Sequence, residues 1–461
     1  MASNSRSGSA DPGALRAQDH ALALADLRRG EFRAARRRLE QLARTDPADL
    51  GARINLAHAL HALGDRQGAV RAWRAVLKIR PDELSASIAL AVELTVLGQT
   101  EEAKAVYRDL AKTSQGRLVG LARLAILDSA AISIEEKRFM RQQAAAADLD
   151  RETKIGLWFG LGFVEERAGE IADAFGAFSE GNRLRRAALA NPDPVTAARE
   201  HAASIAFVRR TFTPDFVRQY AGPGDTGPAP IFIIGSPRTG STLLEQRLAD
   251  ATGGFALGES SAFLRAVGGR WPYRQGATSD PTAFRTAASD YFAAARAAGW
   301  KGRGPTIDKM LDNDLHVGMI ALVFPSAVIL HCVRDLADTG LAIYRQPFAG
   351  PGNECAFDLE DIGQELVRRE GLMAIWREVL PGRVVDVAYE ELVARPDEVI
   401  GALPVARLTA HSRGSAKRPV LTASATEVRR APHGESVGRW RRYGARLEPL
   451  LRVLRGAGLA A

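Results

Sequence analysis

The sequence predicts two architectures in one chain: an all-α array of repeated helix pairs, then an α/β domain built on a doubly wound parallel sheet with a phosphate-binding loop. Three observations predict it. Small, large and turn residues recur every 34 positions in the first part of the chain. A continuous apolar run, residues 231–235, passes through a Gly-bounded polar loop into a helical stretch. Further apolar runs of strand length then alternate with helical segments, the pattern of a parallel sheet covered on both faces. A length of 461 residues accommodates both parts, being about three ordinary domains.

The array comes first. Gly30, Gly64 and Gly98 share the 34-residue step. So do Ala35, Ala69 and Ala103, the large residues Leu39, Trp73 and Tyr107, the small residues Ala23, Ala57 and Ala91, and Pro47 with Pro81. Small residues let two antiparallel helices approach, large ones fill the gap, Gly ends the first helix and Pro ends the second; this is the tetratricopeptide pattern. Trp158, Leu161, Gly162, Gly169, Ala174 and Phe178 repeat it out of phase. Between 115 and 150 the pattern degrades but stays helical. The reading is four clear repeats and one irregular pair over residues 15–190, after a disordered 1–14. Such an array offers a concave face to a peptide or protein partner; a packing appendage or dimer surface is the plainer alternative.

Composition narrows the function. Hydrophobic residues make up 46% and charged residues 25%, which excludes a wholly disordered, collagen-like or fibrous chain. No run of 18 apolar residues is present, so no membrane span is expected. The N-terminus lacks the apolar core of a secretory signal. Two cysteines, Cys332 and Cys355, form no disulfide framework, and no Cys/His cluster has zinc spacing. A cytoplasmic location and no metal are expected. The net charge of +8 suits an anionic ligand, but the Arg-rich runs, such as Arg36 to Arg38, point around a helix and form no stripe. Nucleic acid is not an expected partner.

Residues 191–229 hold a helical stretch near 197–210 and a Gly/Pro-rich run, and read as a helical linker. The domain at 230–461 opens on strand 231–235 and the loop G-S-P-R-T-G-S-T at 235–242. Strand, Gly-bounded loop and helix form the layout in which backbone N–H groups at a helix N-terminus face an anion. Both glycines match the nucleotide triphosphatase motif G-x-x-x-x-G-K-[ST], but Ser241 stands in place of its lysine and Arg238 supplies charge from inside the loop. Residues 326–333 and 383–389 read as further strands, the first ending in Arg334 and the second in Tyr389. Ligands of such sheets bind beyond the carboxyl ends of the strands. The loop, Arg334 and Tyr389 all fall there.

The segments IFIIGSPRTGSTLLEQ, GES, DKM, FPSAVILHCVRDLADT, YEELV and SVGRWRRY, in this order, resemble the sulfotransferase superfamily. More narrowly, the chain resembles bacterial sulfotransferases with N-terminal tetratricopeptide repeats, relatives of the tyrosylprotein sulfotransferases, over residues 15–455. The resemblance implies 3′-phosphoadenosine 5′-phosphosulfate as co-substrate, no metal, and sulfuryl transfer to a hydroxyl or amine. It implies that Ser236 and the run Arg238, Thr239, Gly240, Ser241 and Thr242 bind the 5′-phosphosulfate. Glu259 resembles the catalytic base, and Lys309 the lysine that stabilises charge on the bridging oxygen. Ser424 falls where those enzymes place a serine beside the transferring group. Arg334 and Arg439 resemble the arginines that bind the 3′-phosphate, and Tyr389 the tyrosine near the adenine.

Two departures from the family stand out. Ala342 occupies the position, eight residues after Arg334, where a serine usually binds the 3′-phosphate. The stretch 396–420 is shorter than in relatives. Two other readings compete. A P-loop kinase or nucleotide triphosphatase is opposed by Ser241. A repeat scaffold whose sulfotransferase-like domain binds nucleotide without turnover draws on Ala342. The acceptor is not legible: protein tyrosine stands beside glycan, lipid-linked and small-molecule hydroxyls. Nor is the oligomeric state legible.

Overall fold

The computed structural model describes residues 12–189, 194–222, 224, 228–268, 270, 282–348, 352–405 and 436–459. These fall into two compact units, one up to Met140 and one from Arg141 onward.

The first unit is helical throughout. Its helices are α1 (Pro12–Arg28), α2 (Phe32–Thr45), α3 (Leu50–Ala62), α4 (Arg66–Ile79), α5 (Leu84–Leu97), α6 (Thr100–Leu110) and α7 (Arg117–Leu127), and the unit boundary falls inside α8 (Ile134–Ala145). The repeat columns do what their residue types require. Gly30, Gly64 and Gly98 have φ of 74°, 75° and 76°, the left-handed conformation that reverses the chain between paired helices. Ala23, Ala57, Ala91, Ala35, Ala69 and Ala103 are fully buried, and Leu39, Trp73 and Tyr107 fill the space between them. Asp49 and Asp65 cap α3 and α4 by accepting from Ala52 and Gly68 N–H groups. Helix α1 begins at Pro12, inside the tail expected to be disordered, because proline is preorganised for a first helical turn. Residues 1–11 lie outside the described residues.

The second unit opens with the fourth repeat, α9 (Arg151–Ala168) and α10 (Ile171–Arg186). Gly169 closes α9 at φ 83°. Phe178 lies so close to Gly162 that a Cβ there would sit 2.4 Å from its ring, so this repeat needs glycine where the others have alanine. This pair packs on the α/β part: Asn182 Nδ2 donates to the Tyr344 carbonyl at 2.8 Å, and Phe175 stacks on Tyr344. The compact boundary therefore falls within the repeat array rather than at its end. Helices α11 (Pro194–Thr211) and α12 (Pro214–Tyr220) occupy the stretch read as a linker. They are not a spacer. Val208 and Phe212 belong to the main core, where Phe212 meets Trp376 edge-on at 5.5 Å. Burying an aromatic ring outweighs the composition signal of the Gly/Pro run beside it.

Five parallel strands follow: β1 (Ile231–Gly235), β2 (Phe255–Gly258), β3 (Thr306–Asp308), β4 (Val328–Val333) and β5 (Val384–Ala388), in spatial order β2-β3-β1-β4-β5. β1 is central, and all five of its residues are buried. Its Phe232 and Ile234 face a core shared with α14 (Ala262–Val267), α15 (Thr282–Ala298), α16 (Val317–Val323) and α18 (Leu359–Val379). Ile231 and Ile233 face the opposite core, with Leu244 and Leu248 of α13 (Ser241–Thr252). Helix α17 (Leu336–Tyr344) follows β4; α19 (Tyr389–Ala394) and α20 (Pro396–Ala402) follow β5, and α21 (Glu448–Gly456) packs on α18. The strand order reverses between β1 and β4, so the crevice for a ligand opens at the carboxyl end of β1. This is the predicted all-α repeat region followed by a doubly wound parallel α/β domain.

Candidate active site

The loop after β1 is held open from within. Thr239 Oγ1 donates to the Ser236 carbonyl at 2.7 Å. Arg238 has φ 69° and is the one non-glycine in the left-handed region among the described residues. Such a conformation costs about 1–3 kcal/mol and is kept where surrounding structure imposes it. Gly240, at φ 87°, is the N-cap of α13 and makes no side-chain cap bond. The first-turn amides of α13 and the buried hydroxyl residues Ser241 and Thr242 therefore stand at the loop with the positive end of a helix dipole behind them. A Cβ on Gly240 would lie 2.5 Å from Tyr389 Cδ2, so the loop backbone passes directly under that ring.

Arg334, at the end of β4, donates from Nη1 to the Arg238 carbonyl at 2.9 Å and from Nη2 to the Ser436 carbonyl at 2.6 Å. Its guanidinium lies 4.5 Å over the Tyr389 ring, and Tyr389 Oη shares a 2.7 Å hydrogen bond with Ser436 Oγ. Arg334 Nε is buried and has no hydrogen-bond partner among the described residues. Burial lowers the pKa of this guanidinium, an arrangement that a bound anion would relieve. A glycine cradle, helix first-turn amides, hydroxyls and an arginine with a spare donor fit a phosphate-bearing nucleotide.

The other half of the site lies across β1. Near its end β2 shifts register against β3, between Ala256 and Gly258. Gly258 takes φ 63° there, and both its backbone groups are held: its N–H donates to Glu245 Oε1 at 2.9 Å, and its carbonyl accepts from Lys309 N at 3.0 Å. The next residue is Glu259, whose Oε1 accepts from Lys309 Nζ at 2.6 Å. The pair is unequal: the Lys309 side chain is 1% exposed, while that of Glu259 is 51% exposed. A surface role for Lys309 is excluded by that burial, and no side-chain cap bond is made at the start of α14, where Ser261 is the N-cap. Burial raises the pKa of Glu245, opposed by the charge of Lys309 and the Gly258 amide. Beside Lys309, buried Asp308 accepts from Met310 N and Asn313 Nδ2, each at 3.1 Å, and burial pushes its carboxyl up to about 7.

Ser236, Arg238, Thr239, Gly240, Ser241, Thr242, Glu259, Lys309, Arg334 and Tyr389 all sit at the carboxyl ends of the five strands. Arg439 stands with its Nη1 4.0 Å from Glu166 Oε2 on α9. Ser424 lies outside the described residues, as do residues 406–420 of the shortened stretch. Thr339, a candidate to replace the hydroxyl missing at Ala342, spends its Oγ1 on the Asp335 carbonyl at 2.8 Å. Ser436 meets Arg334 through its carbonyl and Tyr389 through its hydroxyl, and sequence reasoning missed it. Glu245 was missed too; its one signal is a carboxylate inside the apolar helix stretch T-L-L-E-Q. Asp338 was the third, accepting from Gly438 N at 2.5 Å and Trp440 N at 2.9 Å and so fixing the G-R-W turn to α17. Among the described residues no His, Cys, Asp or Glu group is arranged to hold a metal, and no helix is long and apolar enough to cross a membrane.

Residues 230–404 match the model of the Sulfotransferase family. An uncharacterized protein of Aquifex aeolicus (strain VF5) is 32% identical over 325 residues, covering 66% of this chain and 42% of that protein. The chain thus spans less than half the length of that relative. Among solved structures, the MamA RS-1 ArsTM double mutant is 25% identical over 38% of this chain and 97% of its own, with a TM-score of 0.31. Sulfotransferase STF9 from Mycobacterium avium is 14% identical over 71% of this chain and 96% of its own, with a TM-score of 0.30. The C-terminal half of the chain carries a sulfotransferase-family domain.

Proposed function

We propose that this chain transfers a sulfuryl group from 3′-phosphoadenosine 5′-phosphosulfate to a hydroxyl acceptor, with a protein tyrosine presented through the repeats as the first acceptor to test. The observation that carries the reading is the buried Lys309 ammonium paired with the half-exposed Glu259 carboxylate, one strand away from a phosphate-type loop. When bound, the donor supplies an activated sulfur and a nucleotide phosphate as leaving group. The chain's residues do the rest. The α13 amides, Ser241, Thr242 and Arg238 hold the 5′ end of the nucleotide, and Arg334 with Arg439 meets its 3′-phosphate. Glu259 accepts the acceptor's hydroxyl proton as the new S–O bond forms. Lys309 loses part of its partner's charge in that step and turns its own toward the phosphate oxygen released as the old S–O bond breaks. Transfer of this kind relies on positioning and fixed charge more than on covalent catalysis, as in phosphoryl transfer.

Calorimetry without magnesium tests the donor. Charge-assisted contacts contribute about 1.5–3 kcal/mol each, so adenosine 3′,5′-bisphosphate should bind at least about tenfold tighter than adenosine 5′-phosphate. Equal affinities would remove the basis for the donor. Isotopically labelled donor, incubated with enzyme and tyrosine peptides and followed by mass spectrometry, tests the acceptor.

A further inference from the structure

The last repeat reaches into the donor half of the site through one carboxylate. Glu166, on α9, is buried, yet it belongs to the helical repeat and not to the sheet. Its Oε1 accepts from Tyr443 Oη at 2.8 Å, its Oε2 pairs with Arg345, and Arg439 Nη1 stands 4.0 Å away. Its backbone carbonyl accepts from Arg442 Nη2 at 3.4 Å. Tyr443 is fully buried, and burial beside this carboxylate raises its pKa, so it serves as a neutral donor. Arg345 caps the C-terminus of α17, the helix whose other end follows Arg334.

The segment from Ser436 to Tyr443 is thus fixed at three points. Ser436 is tied to Arg334 and Tyr389, Gly438 and Trp440 to Asp338, and Tyr443 to Glu166. Two of these anchors lie on the α/β part. The third lies on the repeat, and its carboxylate faces the Arg439 side chain. A tether with that end loose would keep Ser436 near Arg334 but take away the carboxylate set against Arg439. We infer that Glu166 is a positioning residue for the donor site: it holds Tyr443 and the arginine-bearing turn before it, so that Arg439 is poised for the 3′-phosphate, and the fourth repeat is part of the donor-binding machinery. This rests on the donor reading above. It predicts that the repeat affects discrimination at the 3′-phosphate and not the proton-transfer step.

The test uses the full chain and two variants. Glu166→Gln keeps an acceptor for Tyr443 but drops the charge facing Arg345 and Arg439; Tyr443→Phe removes one hydroxyl and leaves the ion pair, so it reports even if the first variant folds poorly. Both are compared with wild type at a temperature well below melting. Calorimetry should show bisphosphate affinity falling about tenfold or more in Glu166→Gln and about threefold in Tyr443→Phe, with adenosine 5′-phosphate affinity within twofold of wild type. Hydrogen exchange should speed up in peptides covering 436–447 while β1 stays protected. Unchanged bisphosphate affinity and unchanged exchange in the folded variants would overturn the inference. If wild type itself fails to prefer the bisphosphate, the donor reading falls. The exchange measurement then still decides whether Glu166 holds the segment.

Discussion

Replacing Gly240 with alanine probes the site where loop, nucleotide groups and helix dipole meet. Two costs can be worked out. The φ of 87° is strained for any residue with a Cβ, by about 1–2 kcal/mol. The new methyl would also sit 2.5 Å from Tyr389 Cδ2, well inside van der Waals contact. The ring cannot simply swing away, because it is bonded to Ser436 at 2.7 Å and covered by Arg334 at 4.5 Å. Relief must come from the loop or from breaking one of those contacts, which adds about 1–3 kcal/mol. Gly382→Ala is the control: it lies in the same compact unit at φ 75°, with nothing within 4 Å of its Cβ, and carries only the first cost. Differential scanning calorimetry should therefore place Gly240→Ala clearly below Gly382→Ala in melting temperature. Titration with adenosine 3′,5′-bisphosphate should show at least a tenfold loss for Gly240→Ala and none for Gly382→Ala. Equal melting temperatures and equal affinities would refute the claim that Gly240 is required by its approach to Tyr389.

Three further outcomes are expected. Glu259→Gln should keep the fold and bisphosphate binding while single-turnover sulfuryl transfer falls about 10²–10⁴-fold; turnover at the parent rate would sink the base assignment. Protonated Asp308 contributes about 4 kcal/mol below its unfolded pKa near 4, lost as pH rises through about 7, whereas buried His316, depressed to about 4, loses stability as pH falls from about 6.5 toward 4. The melting temperature of Asp308→Asn relative to wild type should therefore climb between pH 4 and 7, and a difference independent of pH would contradict it. Ala342→Ser should tighten bisphosphate binding by about 1 kcal/mol, roughly fivefold, and unchanged affinity in the folded variant would mean that another group already fills that role.

What the sequence made legible was local. The glycine and alanine columns of the repeats depend on backbone conformation and helix contact within about 40 residues, and each of these two kinds is left-handed or buried as its residue type demands. Strand, loop and helix at 231–252 are equally local. What it hid depends on distant partners. The burial of Lys309 follows from Glu259, fifty positions earlier, and from a register shift that no periodicity announces. Ser436 reaches Arg334 across 102 positions, and Tyr443 reaches Glu166 across 277. The stretch read as a helical linker is helical, but its core contact was hidden for the same reason: Phe212 finds Trp376 through the tertiary fold.

The missing loop lysine is best understood through the sheet. In nucleotide triphosphatases the motif lysine brings positive charge to the phosphates from the helix that follows the loop. Here Ser241 occupies that place, Arg238 brings charge from inside the loop, and further positive charge arrives from the flanking strands, as Lys309 after β3 and Arg334 after β4. Because the order is β2-β3-β1-β4-β5, the central strand divides the carboxyl edge in two. Glu259 and Lys309 lie on the β2-β3 side with the buried Glu245 behind them; Arg334, Tyr389 and Ser436 lie on the β4-β5 side. On the proposed reading, proton transfer and charge release occupy the first side, and nucleotide recognition the second. The two are joined through the loop and α13, whose Glu245 holds the Gly258 amide just before Glu259. Arg238 places one charge in the loop between the two halves. The outer charges add a cation to each half, and on the first side the Lys309 ammonium meets a carboxylate that can take a proton.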